Sequence, residues 1–366
     1  RSTLTTTAGR LRRSPFRSPT VSYPQAVKVY GNSFRISDSA AAFFKDMKLK
    51  DYITLLFDAD GNVAAAYPRS TVSADMQGIV TAIDEGKATV TLTNGITLRN
   101  MDIDKLDKPT ALMGRLVSVS TNGDKAVLTR RTLSGKTSGE WSLSDGKLGA
   151  KPVSSRVNVY EEVLSGAPLS RIALSDISLA KVPSSDIRYT VTDSAGTITT
   201  VILGDVTGDS WLYGMGYGER IKDDTDPDTY KEEKVVLRYW DADANDTKYQ
   251  KKFLVSVLPK GLTGGPIAVP KGYPEDTTGI INPSLDIKKL KLIDTVDRTA
   301  FDGASGVRTK DGYYALADQL GIYDTENREF IATLQSAKSN YTKFALYAND
   351  TAEDGGKIRI ITVSNK

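Results

Sequence analysis

Asp51-Tyr-Ile-Thr-Leu-Leu-Phe-Asp58-Ala-Asp-Gly61-Asn-Val63 aligns without a gap, at an offset of 135, on Asp186-Ile-Arg-Tyr-Thr-Val-Thr-Asp193-Ser-Ala-Gly196-Thr-Ile198. Each copy runs β-branched and aromatic residues into an Asp, places a Gly three positions later, and resumes with a β-branched residue. That is the grammar of a strand, a tight turn and a returning strand. The Asp side chain can bond the turn amides, and the Gly can take the positive φ that closes the turn. Upstream, Val27-Lys-Val-Tyr30 recurs as Val157-Asn-Val-Tyr160 with five fewer residues of offset. One strand–helix–hairpin unit is therefore expected twice, on either side of an inserted segment.

Working outward, Val27 to Ile36 reads as strand, Gly31-Asn32 turn, strand, and Ser39 to Lys48, with Ala40, Phe43, Phe44 and Met47, as a short helix. Gly78–Ile83, Ala88–Leu92, Ile96–Leu98, Leu112–Val119 and Ala126–Arg130 make five strands with Asn94-Gly95 and Asn122-Gly123 at turns, enough for a small barrel or half a sandwich. Further strands are expected at Val235–Trp240, Lys252–Leu258, Leu290–Val296, Tyr313–Leu316, Gly321–Tyr323, Lys343–Tyr347 and Ile358–Val363. Trp211 to Lys222, spaced by Gly214, Gly216 and Gly218, leads into an acidic connector. The expected fold class is all-β: several small barrel-like or sandwich-like modules in tandem, with an internal repeat and few short helices. The expected boundaries are a basic arm over 1–25, a module over 26–72, the five-stranded module over 73–135, the repeated unit over 136–210, and a C-terminal region over 211–366 with a long Gly/Pro loop at 259–284. A chain of 366 residues exceeds what one core usually organises, which agrees with several modules.

Composition narrows the chemistry. The chain has 0 His and 0 Cys, which removes Ser-His-Asp and Cys-His nucleophilic catalysis, imidazole acid–base work, Cys/His zinc sites and Cys-ligated clusters. Carboxylate, Lys, Tyr, Ser and hard-metal chemistry remain. A non-enzymatic role is expected, with a carboxylate-based glycosidase or lyase as the residual enzymatic alternative, since its paired acids would meet in space rather than in sequence. Gly214-Met-Gly216-Tyr-Gly218 lacks the third-Gly spacing of a dinucleotide fingerprint. Trp141, Trp211 and Trp240, with 17 Tyr, offer aromatic planes for a sugar-binding face, against the plainer reading of core packing.

Net charge is +3, from 48 basic and 45 acidic side chains, which argues against a nucleic-acid binder. The exception is local: Arg1, Arg10, Arg12, Arg13 and Arg17 fall in the first 20 residues without an acid among them. They are the candidate partner-binding residues, on an arm that lies on a neighbouring copy or an anionic polymer, or else is simply solvated. Asp58-Ala-Asp60-Gly61-Asn62 copies the opening of an EF-hand loop, but Arg69 stands where the bidentate Glu belongs, so a hairpin turn is the better account. Two acid clusters, Asp241, Asp243, Asn245 and Asp246, and Asp223, Asp224 and Asp226, are the candidate metal ligands. Calcium is the one cofactor for which the sequence offers residues, the alternative being solvated turns. No apolar run reaches the ~18–20 residues of a membrane span, and none has the form of a signal-peptide core. A first residue of Arg rather than Met suggests trimming from a longer precursor.

The first hairpin, with Val201-Ile-Leu-Gly-Asp-Val-Thr-Gly-Asp-Ser-Trp-Leu-Tyr-Gly214 and the closing Gly355-Gly-Lys-Ile-Arg-Ile-Ile-Thr-Val363, resembles the region that follows the anchoring repeats in S-layer-homology-domain proteins of Clostridia and related Firmicutes. The likeness runs from about Val27 to Val363. It implies a secreted, wall-associated protein of repeated β modules without an assigned active site. The anchoring repeats, which in that family bind secondary wall polymer, are not part of this sequence. The expected function is an extracellular structural subunit of a bacterial cell-surface assembly, a lattice or filament that self-associates through β edges and the arm. Its expected partners are other copies of itself and cell-wall polysaccharide. The alternative is a cell-surface adhesin or carbohydrate-binding protein.

Overall fold

In the computed structural model, both Asp–Gly stretches form the same turn. The Asp58 amide donates to the Asn62 carbonyl at 2.9 Å and the Gly61 amide to the Asp58 carbonyl at 3.2 Å; Asp193 with Thr197 and Gly196 repeats this at 2.9 and 3.1 Å. Asp58 Oδ1 accepts from the amides of Asp60 and Asn62 at 2.9 and 2.8 Å, and Asp193 Oδ1 accepts from those of Ala195 and Thr197 at 2.9 Å each. Gly61 and Gly196 sit at φ 79° and 82°. The sequence repeat is thus a repeat of hydrogen bonds, with one carboxylate oxygen organising each turn.

The structure describes residues 5–10, 25–44, 52–58, 60–68, 76–93, 95–105, 109–122, 125–133, 139–193, 195–222, 224–226, 230–240, 250–255, 258–260, 262–273 and 286–365. Over these the chain is all-β, a series of mostly antiparallel sheets with short helical turns between them. It divides into two compact units, Arg1–Tyr160 with Leu179–Leu203, and Glu161–Ser178 with Gly204–Lys366. That division differs from the serial modules read along the sequence, because 161–178 folds with the residues after 204.

In the first unit, Thr5–Arg10, Tyr52–Phe57 and Val63–Pro68 form a three-stranded antiparallel sheet, with the hairpin Ala26–Val29 and Asn32–Arg35 nearby. Val27, Val29, Ile36, Phe44, Ile53, Leu55, Phe57 and Val63 share its core, where Phe34 meets Phe57 edge-on at 5.2 Å. The helix expected over 39–48 is a 3-10 turn, Asp38–Phe44; residues 45–48 lie outside the described residues. Thr5–Arg10, inside the stretch expected to be an arm, is a strand on the edge of this sheet.

The five-stranded module has the order Lys125–Arg130, Leu116–Asn122, Met76–Asp84, Lys87–Leu92, Thr97–Asp102. Its outer strands approach each other: Ile103 bridges Ala126, and the Asp104 amide donates to the Ala126 carbonyl at 2.8 Å. The sheet so curls around Val80, Val90, Leu98, Met101 and Val117, and the curl satisfies backbone groups that an open edge would leave bare. A third sheet runs Lys181–Val182, Trp141–Ser142, Lys147–Leu148, Lys151–Glu161, Ile198–Leu203, Ile187–Thr192, and carries the second hairpin.

The second unit has two sheets. One is antiparallel, in the order Gln250–Val255, Tyr230–Arg238, Trp211–Lys222, Thr263–Pro270, Lys288–Lys289. The other runs Lys291–Val296, Lys343–Ala348, Lys357–Ser364, Gly312–Asp324, Gly306–Thr309, Phe301–Asp302. Its pair Gly312–Asp324 and Lys357–Ser364 is parallel. A parallel pair needs a crossover; the helix Leu334–Asn340, capped by the Thr333 hydroxyl, lies in the intervening chain. Trp211, Met215 and Ala268 of the first sheet share a buried cluster with Tyr323, Phe330 and Ile360 of the chain around the second, which joins the two sheets. Trp211–Lys222, read in the sequence only as a lead-in to a connector, is the central strand of its sheet.

Candidate functional site

Polar side chains converge in the second unit on the loop Gly204-Asp-Val-Thr-Gly-Asp-Ser210, at the N-terminal end of the strand Trp211–Lys222. Glu161, fully buried, holds the loop from below. Its Oε1 accepts from the amides of Val206 and Thr207 at 3.0 and 2.7 Å, and its Oε2 from the hydroxyls of Thr207 and Ser210 at 2.9 and 2.6 Å. A buried carboxylate survives only when its lone pairs are met, and here four donors meet them. Asp205 accepts from the Trp211 indole at 2.8 Å, which fixes the ring.

Arg359, 3% exposed, clasps the same loop from the last strand. It donates to the Thr207 carbonyl at 2.8 Å and to Asn349 Oδ1 at 3.0 Å, pairs with the Asp209 carboxylate, and stacks 5.0 Å from the Tyr213 ring centre. The Tyr213 hydroxyl donates to the Gly208 carbonyl at 2.7 Å. Gly208 sits at φ 68°, and a Cβ there would lie 2.6 Å from Asn349 Nδ2 and 2.8 Å from Arg359 Nη2, so the clasp needs a glycine at this point.

Burial sets the electrostatics. It pushes the carboxyls of Glu161 and Asp205 and the hydroxyl of Tyr213 above their ordinary pKa values, against the hydrogen bonds that favour ionised Glu161 and Asp205. It pulls the Lys271 ammonium down, with Arg359 adding repulsion and Asp209 opposing. Chemically, the loop cluster is saturated. The Glu161 oxygens and the Arg359 guanidinium are each committed to neighbours, which suits a clamp better than an acid–base pair.

Beside the clamp lies a cleft of about 230 Å³, bordered by Asp176, Trp211, Tyr213, Trp240, Lys271 and Arg359. Its far rim comes from an irregularity in the parallel pair. Leu316 pairs with Ile358 and Gly321 with Ile360, so four residues, 317–320, stand against the single Arg359. The two in the middle, Asp318 and Gln319, are exposed and line the cleft.

The residues nominated from the sequence fall elsewhere. Arg1, Arg12, Arg13 and Arg17 lie outside the described residues, and Arg10 ends the first strand, opposite Tyr52. Asp223, Asp241, Asp243, Asn245 and Asp246 also lie outside them; Asp224 and Asp226 stand in a described turn. Among the described residues no group of three or more acids is arranged to hold a metal ion, and no helix is long and apolar enough to cross a membrane. Trp141 is buried in the first unit; Trp211, buried as well, and the partly buried Trp240 border the cleft. Glu161, Lys271, Asp318, Gln319 and Arg359 carried no local signal, since each meets its partners through the fold. Set against protein-family models and against curated proteins, the chain matches none.

Proposed function

We propose that this chain is an extracellular structural subunit of a bacterial cell-surface assembly, a lattice or filament whose copies join through strand edges and the first strand. The observation that carries the reading is the pairing of Thr5–Arg10 with Tyr52–Phe57, six residues in unbroken antiparallel register from Thr5 opposite Phe57 to Arg10 opposite Tyr52. This strand lies on the sheet edge, and the hydrogen bonds that hold it are main-chain bonds without sequence requirement. A segment that completes its own sheet this way can complete a neighbour's, and a head-to-tail exchange that does not close on itself builds a fibre. Two further facts support a non-enzymatic role: the absence of His and Cys, and the commitment of the buried polar cluster to holding a loop.

Electron microscopy and sedimentation of the purified chain, with and without residues 1–19, test the proposal. Polymers from the full chain and monomers from the truncated one are expected. A full chain that stays monomeric at all concentrations, or a truncated chain that polymerises equally well, would overturn it.

A further inference from the structure

We infer that the cleft of the second unit is a saccharide subsite, taking one pyranose ring of a polysaccharide against Trp240, with Lys271, Asp318 and Gln319 as its hydrogen-bonding partners. The inference is independent of assembly, since none of these residues belongs to the first strand.

Size comes first. At about 230 Å³ the cleft lies below the ~300–1,000 Å³ typical of drug-sized ligands, so it accommodates a single small ring. Charge comes next. Arg171, Lys271 and Arg359 share the lining with Asp176, Asp209 and Asp318, and of these Arg359 and Asp209 are already paired with each other. A phosphate group would meet the carboxylates and a metal ion would meet the cations. Hydroxyl groups, which donate and accept at once, suit a wall that carries both signs. Trp240 is only partly covered by its core and borders the cleft, and an indole face suits the apolar C–H face of a pyranose.

Two independent features mark the cleft as built for a ligand. Among the described residues, the Lys271 ammonium makes no hydrogen bond or ion pair, although burial lowers its pKa. A cation held in a half-buried place without a contact partner carries a solvation cost that a ligand oxygen would relieve. The second feature is the four-against-one bulge opposite Arg359, which aims Asp318 and Gln319 at the cleft instead of continuing the ladder. Bulges of this kind re-aim side chains at binding sites. The floor is rigid, because Trp211, Tyr213 and Arg359 are each tied to the clamp loop.

The test is a titration of the whole chain, read by tryptophan fluorescence and calorimetry, with methyl glucoside, N-acetylglucosamine and glucuronic acid, and with inorganic phosphate as a contrasting probe. Saturable binding of at least one sugar is expected, with the glucuronic acid arm showing whether Lys271 selects a carboxylate. Trp240→Ala and the pair Asp318→Ala with Gln319→Ala are each expected to weaken it tenfold or more. The rim pair is exposed, so its thermal unfolding should match the parent chain and separate lost binding from lost fold. Absence of saturable binding by all three sugars, binding of phosphate alone, or sugar binding unchanged in the rim pair would each overturn the inference.

Discussion

The Ser210 hydroxyl donates to Glu161 Oε2 at 2.6 Å across 49 residues of sequence. With Thr207 and Val206 donating to the same carboxylate, Glu161 anchors the chain that re-enters the second unit to the chain that first enters it. Glu161→Ala would leave two amides and two hydroxyls in a buried place without their acceptor. At ~1–3 kcal/mol for each buried group left unmade and partial relief by water, a total loss of about 3–5 kcal/mol is expected. Ser210→Ala removes one donor and should cost about 1–2 kcal/mol. Urea unfolding measures both, through the midpoint at constant slope. A Glu161→Ala loss below ~1 kcal/mol would show that the loop is held by something else.

Two buried carboxyls give stability opposite pH dependences. Burial raises the Glu161 pKa above its unfolded value, so between the two values the folded state binds more protons than the unfolded one. Its contribution is complete below the ordinary glutamate pKa and is lost as pH rises through the folded value. Asp324 behaves the other way. Burial pushes its pKa up, but bonds from the Tyr341 hydroxyl, the Asn327 and Glu326 amides and the Asn327 side chain outweigh this and hold it low. Its contribution is present above the ordinary aspartate pKa and is lost as pH falls through the folded value. Urea midpoints across the acid range should therefore fall less steeply at low pH in Asp324→Asn and decline less toward neutrality in Glu161→Gln, while Asp58, Asp104, Asp297 and Asp205, shifted in the same directions, keep part of each slope. Unaltered profiles would mean that these groups do not set the dependence.

What the sequence disclosed follows the range of the interactions involved. The hairpins were legible because Asp58 and Asp193 bond amides within four residues of themselves, and Gly61 and Gly196 announce the positive φ. The strand Trp211–Lys222 was not, because Gly214, Gly216 and Gly218 suggest irregular chain. In the fold they stand at alternate positions; added Cβ atoms on Gly214 and Gly216 would collide with the Arg238 carbonyl and the Ile267 side chain, and one on Gly218 would crowd the Leu258 side chain at 3.0 Å. The clamp was invisible for a different reason. Arg359 reaches Asp209 over a separation of 150 residues, and only the topology brings the last strand beside that loop.

Equivalence of the two hairpins predicts equivalent responses. Gly61 and Gly196 differ by 3° in φ (79° and 82°), and a Cβ at Gly196 would meet no atom within 4 Å, while one at Gly61 would meet only Ile96 Cδ1 at 3.9 Å. The cost of alanine is therefore conformational alone, about 1–2 kcal/mol at each site. Asparagine, which tolerates this region better, should cost less than alanine at both. Thermal unfolding of the four single variants checks this. A Gly196→Ala variant as stable as the parent would refute a left-handed turn there.

Gly214 and Gly216 make the sharpest contrast, because the obstacles they face differ in kind. A Cβ on Gly214 would collide with the Arg238 carbonyl oxygen and lie 2.9 Å from its carbon, so the neighbouring backbone would have to move. On Gly216 the Cβ would collide with Ile267 Cδ1 and lie 2.6 Å from its Cγ1, a side chain that is buried but replaceable. Overpacking a buried side chain costs typically ~1–3 kcal/mol. Gly216→Ala should fall there, and Gly214→Ala should exceed it, since displacing the carbonyl also strains the pairing of Met215 with Arg238. Ile267→Val removes the offending Cδ1. Combined with Gly216→Ala it should restore part of the loss, Cγ1 remaining close, so the pair would be less destabilised than the sum of its members, the signature of direct contact in a double-mutant cycle. The same Ile267→Val change should do nothing for Gly214→Ala, whose obstacle is main chain. Equal rescue at both positions would mean that the sheet relaxes as a whole, and that the glycines answer to strand flexibility instead of to these two neighbours.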